Sequence, residues 1–199
     1  MATSILWFRR DLRLSDNPAL LEAVRAAGPD GHVVPLFCLD DRLWGPAGGN
    51  RRAFMVGCLA ALDADLGGRL VVRHGSPSAI VPALAAEVGA RQVFVAADFA
   101  PYGAQRDVEV EAALATAGGA LVRAGSSYAV DPGTVRNGAG DAYKVFTPFS
   151  KAWAAHGWPP PSGAPAGVRW APDVPSDGLP VAVASADHLP EPGEAAAQR

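Results

Sequence analysis

No apolar run of 18 residues occurs anywhere in the 199-residue chain, so no segment is suited to cross a bilayer as a helix. Met1 to Ser4 has neither a basic start nor the apolar stretch of a secretion signal, so a cytoplasmic location and no membrane partner are expected. Cysteine is scarce: Cys38 and Cys58 lack CxxC spacing and are expected to be buried thiols in a reducing compartment. Charge of one sign is lacking as well. With 17 basic and 20 acidic residues, the net charge of -3 gives no general field that would hold the chain on DNA phosphates.

Catalytic signatures are equally missing. No GxGxxG follows the first apolar run, no GxxxxGK[ST] occurs, and GPAGGNRR at 45–52 lacks the lysine and hydroxyl of a nucleotide P-loop. His32, His74, His156 and His188 have no second His or Cys at metal-ligand spacing, so no metal site is expected. There is no GxSxG elbow, and SGGxDS and HxGH are absent, which argues against adenylate chemistry. The adjacent acids Asp40 and Asp41 point in different directions at a strand end and are expected in a solvated loop. No catalytic residue is assigned.

What is present is alternation. SILWF (4–8), HVVPLFCL (32–39), RLVVRH (69–74), QVFVAA (92–97) and ALVRA (120–124) have the continuous apolar character of strands buried on both faces. Helical patterns lie between them. The first has Asn17 as N-cap and Pro18 at its first position, and it ends before Gly28; the second runs from about Arg51 to Leu66. The third begins at Ser76-Pro77, and the fourth spans Gln105 to Ala117 before Gly118-Gly119. The predicted fold is a doubly wound, five-stranded parallel sheet, Rossmann-like, in three α/β/α layers.

The pattern ends near Ala124. We divide the chain into an α/β domain at 1–130, an aromatic segment at 131–156 and a proline-rich linker at 157–199. The linker holds half of the 18 prolines, among them Pro159-Pro160-Pro161, which predicts an extended chain that does not pack as sheet. Glu191 to Arg199 is predicted to begin a helix with nothing to pack against, as in the front part of a longer protein. Tyr143, Phe146, Phe149 and Trp153 fall three and four residues apart, an apolar stripe that packs either within the chain or on a further domain.

In an open parallel sheet, ligands bind beyond the carboxyl ends of the strands, so residues 8–13, 37–42, 74–77 and 97–102 are where a site is expected. WFRRDLRLSDNPAL (7–20), FCLDDRLW (37–44), PYGAQRDVEVEAAL (101–114) and YKVFTPFSKAW (143–153) carry a resemblance. In order and spacing they resemble the N-terminal domain of DNA photolyases and cryptochromes, most of all cyclobutane pyrimidine dimer photolyases. The resemblance implies that this domain holds an antenna chromophore, which passes light energy to FAD in a helical C-terminal domain lying past Arg199. That domain would be the chain's partner and would engage damaged DNA; a monomer is expected, inactive in repair without it. A cryptochrome photoreceptor and an unrelated small-molecule-binding α/β domain are the alternatives.

By the same resemblance, Phe37, Cys38, Leu39 and Asp40 form the strand end that borders a flat heteroaromatic ring. Arg51, with Arg52 beside it, supplies a cation for an ionised ring oxygen, and Asp98 and Tyr102 complete the crevice. Taken singly, Asp98 could equally cap a helix, Tyr102 pack on the surface and Arg51 be solvated. Folate-using relatives place a glutamate where this chain has Ala100, which favours 8-hydroxy-5-deazaflavin over methenyltetrahydrofolate or FMN. Asp11 and Arg13 are expected to brace the loop, whereas Arg9 and Arg10 either share that role or contact the chromophore or DNA.

Overall fold

The computed structural model describes residues 1–181 and 188–199. Strands β1 (Thr3–Phe8), β2 (His32–Leu39), β3 (Val71–His74), β4 (Gln92–Ala97) and β5 (Ala120–Ser126) form one all-parallel sheet in the order β3-β2-β1-β4-β5. Side chains alternate between its faces. Ile5, Trp7, Val34 and Leu36 pack with Val81 and Leu84 of α4 (Pro77–Glu87) and with Val110 and Leu114 of α5 (Pro101–Thr116). Leu6, Phe8, Val33 and Phe37 pack on the opposite face with Leu20 of α1 (Pro18–Ala27) and with Leu59 and Leu62 of α3 (Gly49–Asp65). Burial of both faces is why the strands are continuously apolar, and the doubly wound fold is the one expected.

Helix α1 starts as its sequence requires: the Asn17 side chain accepts from the Leu20 amide at 3.1 Å, and Pro18 follows. Helix α5 begins at Pro101, four residues before the expected Gln105. Proline suits a first turn, and Gly103 is kept there by a close approach, since a Cβ on it would lie 2.2 Å from the Asp98 carboxyl group.

The proline-rich segment is extended, but the expectation that it would not pack needs correcting. The Val33 amide donates to the Arg169 carbonyl at 2.9 Å and the Ala171 amide to the Val33 carbonyl at 2.9 Å, so Trp170 pairs beside β2 ahead of β3. Farther on, Ser176 Oγ accepts from the Val72 amide and Asp177 accepts from that of His74, covering the outer edge of β3. The short final helix is partnered too. Pro192 lies against Gly57 of α3, where a Cβ would meet its Cγ at 2.8 Å, and Glu194 accepts from the Leu14 and Ser15 amides at 2.7 and 3.1 Å. Residues 182–187 of the expected linker lie outside the described residues.

The aromatic segment forms α6 (Phe146–His156), which has no buried residue. Its rings pair locally: Tyr143 meets Phe149 edge-on at 6.2 Å, and Trp153 stacks on Trp158 at 4.7 Å.

Candidate functional site

Strands β1 and β4 pair at Ile5–Val93 and Leu6–Phe94 and then part, opening the crevice expected where strand order reverses. Charge fills it. Arg9 donates from one guanidinium nitrogen to the Ala96 carbonyl and from another to Asp107 Oδ1 of α5. Arg106 donates to the same oxygen from Nε at 3.1 Å and Nη2 at 2.9 Å, and to Asp98 Oδ2 at 3.3 Å. All four side chains are less than a tenth exposed. Both guanidinium groups also lie over the Trp7 ring, with Cζ at 4.8 and 5.1 Å from its centroid.

Two buried cations facing two buried anions are tolerable because each is paired. Burial, and then repulsion from Arg106, lowers the Arg9 pKa from its ordinary value. Burial alone would raise Asp98, but the Ala100 amide and then Arg106, Arg9 and Arg10 hold its carboxyl below the usual range. Next to this cluster Asp11 is pushed up by burial.

Beside the cluster, over the carboxyl ends of β1 and β2, lies a cavity of about 260 Å³. Its apolar lining comes from Trp7, Phe37, Cys38 and Leu39 of the strands, Leu43 and Trp44 of α2 (Asp41–Trp44), Met55 of α3 and Pro77 of α4. Five guanidinium groups reach it, from Arg9, Arg10, Arg51, Arg52 and Arg106, against one carboxylate, Asp40. Asp40 is already engaged. One oxygen accepts from the Arg42 amide at 3.0 Å, capping α2, and the other from the Tyr102 hydroxyl. Burial and that bond push the Tyr102 phenol up to about 12. Arg52 donates to the Gly45 carbonyl and lies over Trp44, with Cζ 5.4 Å from the ring centroid. Arg51, exposed at the rim, has no hydrogen-bond or ion-pair partner among the described residues.

The structure therefore gathers Phe37, Cys38, Leu39, Asp40 and Arg51 around one cavity. Asp98 and Tyr102 stand outside the lining. Asp98 tightens the turn into α5 by accepting from the Ala100 amide at 3.1 Å and pairs with Arg10 at 3.4 Å, while Tyr102 buttresses Asp40. Burial pushes the Cys38 thiol pKa up, which disfavours the thiolate. The charged loop has divided tasks. Arg9 and Arg10 reach the cavity, whereas Arg13 folds back to the Ser15 and Asp16 carbonyls at 3.2 and 3.0 Å.

Sequence reasoning gave no lining role to Trp7, Leu43, Trp44, Ala47, Met55 or Arg106, whereas Pro77 closes the expected strand-end stretch at 74–77. Trp7 follows Ile5 by two residues and so shares its α4 and α5 face, a placement on one side of the sheet that strand period makes readable. The reach of Arg106 back across the sheet depends on the partnership with Arg9, which no local pattern carries.

The family model for DNA photolyase matches residues 4–166, which take in all five strands, the cavity and α6. The chain belongs to the DNA photolyase family. A deoxyribodipyrimidine photo-lyase of Streptomyces griseus is 42% identical over 187 residues, covering 90% of this chain and 40% of that protein. Among solved structures, a bacterial class III photolyase from Agrobacterium tumefaciens is similar with a TM-score of 0.77 and 31% identity, over 89% of this chain and 37% of the other. An archaeal photolyase from Sulfolobus tokodaii, solved with two FAD molecules, shares the fold at a TM-score of 0.73 and 24% identity, over 87% of this chain and 40% of the other. The chain thus spans well under half the length of these photolyases. Its Trp170 pairing and its Glu194 contact lie beyond the segment that the family model matches.

Proposed function

We propose that this domain is the light-harvesting part of a deoxyribodipyrimidine photolyase, and that its cavity holds a flat antenna chromophore. The observation that carries the reading is the cavity itself: aromatic and aliphatic walls at the ends of β1 and β2, with the Arg51 cation, unpartnered among the described residues, at the rim. At about 260 Å³ it falls just under the ~300 Å³ at which small-ligand pockets begin, which suits one ring system whose tail extends outside. When bound, the chromophore would absorb light and pass excitation to FAD in the remainder of a family-length protein, where pyrimidine dimers in DNA would be repaired.

Arg51 would stabilise a negative ring oxygen, and the loop before α5 offers Ala100 where a pterin would need an acid. Both features favour 8-hydroxy-5-deazaflavin over methenyltetrahydrofolate or FMN. The exposed ring of Phe146 on α6, 77% accessible, is the surface on which the FAD-bearing part would dock.

Titrating 8-hydroxy-5-deazariboflavin into the chain should give a red-shifted absorption band and tighter binding than methenyltetrahydrofolate. Because Arg51 is exposed, Arg51→Ala should weaken the first ligand only about two- to fivefold. Equal affinity for the two ligands, or no effect of the substitution, would contradict the assignment of the chromophore.

A further inference from the structure

The chain has five tryptophans, and the two that line the cavity are the two that carry a guanidinium over the ring. Trp7 carries Arg9 and Arg106, and Trp44 carries Arg52. Trp153, Trp158 and Trp170 lie away from the cavity and carry no such cation among the described residues. Arg9 and Arg106 are held in place by their shared Asp107 oxygen, and Arg52 by the Gly45 carbonyl. The contacts of Asp107 and Asp98 are with these guanidinium groups rather than with the indole, so the Trp7 ring meets positive charge first.

Indole in contact with an excited flavin-like ring is a ready electron donor. Unprotected, the tryptophan π system would give up one electron to a chromophore excited in the cavity and become a radical cation, leaving the chromophore a radical anion. Return of the electron would restore both and dissipate the excitation as heat, with no proton moved and no further reactant. A cation over the ring stabilises the neutral π system and repels the radical cation, and in a buried site that repulsion is poorly screened. We propose that Arg9 and Arg106 on Trp7, and Arg52 on Trp44, hold these two rings against oxidation, so that a chromophore excited in the cavity keeps its energy long enough to pass it on. The inference rests on the antenna reading of the cavity.

The test is the fluorescence lifetime of 8-hydroxy-5-deazariboflavin bound to the 199-residue chain, each variant first titrated to saturation. Arg52→Gln, at a partly exposed position, should shorten the lifetime roughly threefold or more, and adding Trp44→Phe should restore it. Arg106→Gln, made together with Asp98→Asn to keep the buried charge balanced, should shorten it likewise, and Trp7→Phe should restore it. Trp7→Phe alone should change it by less than about twofold, because the ring is already protected. A lifetime unchanged in Arg52→Gln, a shortening that the phenylalanine substitutions fail to reverse, or a many-fold lengthening in Trp7→Phe alone would each overturn the inference while leaving the antenna reading in place. Failure of the wild-type chain to bind the probe in the titration would overturn the antenna reading itself, and the inference with it.

Discussion

Asp107 Oδ1 accepts from both Arg9 and Arg106, while Oδ2 is buried with no hydrogen-bond partner among the described residues. That carboxylate holds together the crevice between β1 and β4. Asp107→Asn would leave two buried guanidinium groups facing a neutral amide. The loss should be about 3–5 kcal/mol, the scale for breaking a buried pair, read as a lowered urea midpoint. Arg51→Ala, at the exposed rim, should stay within about 0.5 kcal/mol of wild type in the same measurement. Similar midpoints for the two variants would contradict the bracing role. Part of this was legible in the sequence. Gly103, Asp107, Val110 and Leu114 share the buried stripe of α5, so a carboxylate stood on an apolar face and had to be paired. Its partner Arg9 lies 98 residues away, and no periodicity specifies it.

At the scale of elements, the loop between β1 and α1 is fastened to the proline-rich tail at two points. Asp16 exchanges bonds with Ser162, its amide donating to the Ser162 carbonyl at 2.7 Å and its side chain accepting from the Ser162 amide at 3.0 Å. Glu194 accepts from the amides of Leu14 and Ser15 and from the Ser15 hydroxyl. Burial acts to raise the Glu194 pKa, but these donors and Arg13 outweigh it and hold the group below its ordinary 4.5. A depressed folded-state value means the contact stabilises the tail above the unfolded pKa and is lost as pH falls below about 4.5 through the folded value. Hydrogen exchange should accordingly show the Leu14 and Ser15 amides protected at neutral pH and unprotected in acid, and Glu194→Gln should weaken protection already at neutral pH. Protection independent of pH and of the substitution would rule this fastening out. On α5, Gly103→Ala should displace the Asp98 carboxyl and loosen Arg106, lowering the thermal midpoint; an unchanged midpoint would show that the turn has room. Strands and caps were readable because their signals are local. The start of α5 and the packing of the tail were not, since Gly103 and the prolines are breakers by local rule and are accommodated by contacts with residues distant in the chain.

For the whole molecule, the five-stranded sheet and two apolar layers make the domain, and the tail seals the β3 edge of the sheet. Trypsin should therefore cut first at Arg136 or Lys144, exposed between β5 and α6, before Arg169, whose carbonyl is bonded to β2. First cleavage at Arg169 would show the tail to be loosely held. If the chromophore sits in the cavity above β1 and β2, filling that cavity should exclude it. Ala47 lines the cavity, and Ala47→Trp would fill it without replacing any residue of the buried charge cluster. Calorimetric titration with 8-hydroxy-5-deazariboflavin should show single-site binding to the wild-type chain and at least about tenfold weaker binding to the folded variant, since lost cavity volume removes the ring's contacts. Equal affinity in the two proteins would place the ligand elsewhere and contradict the account.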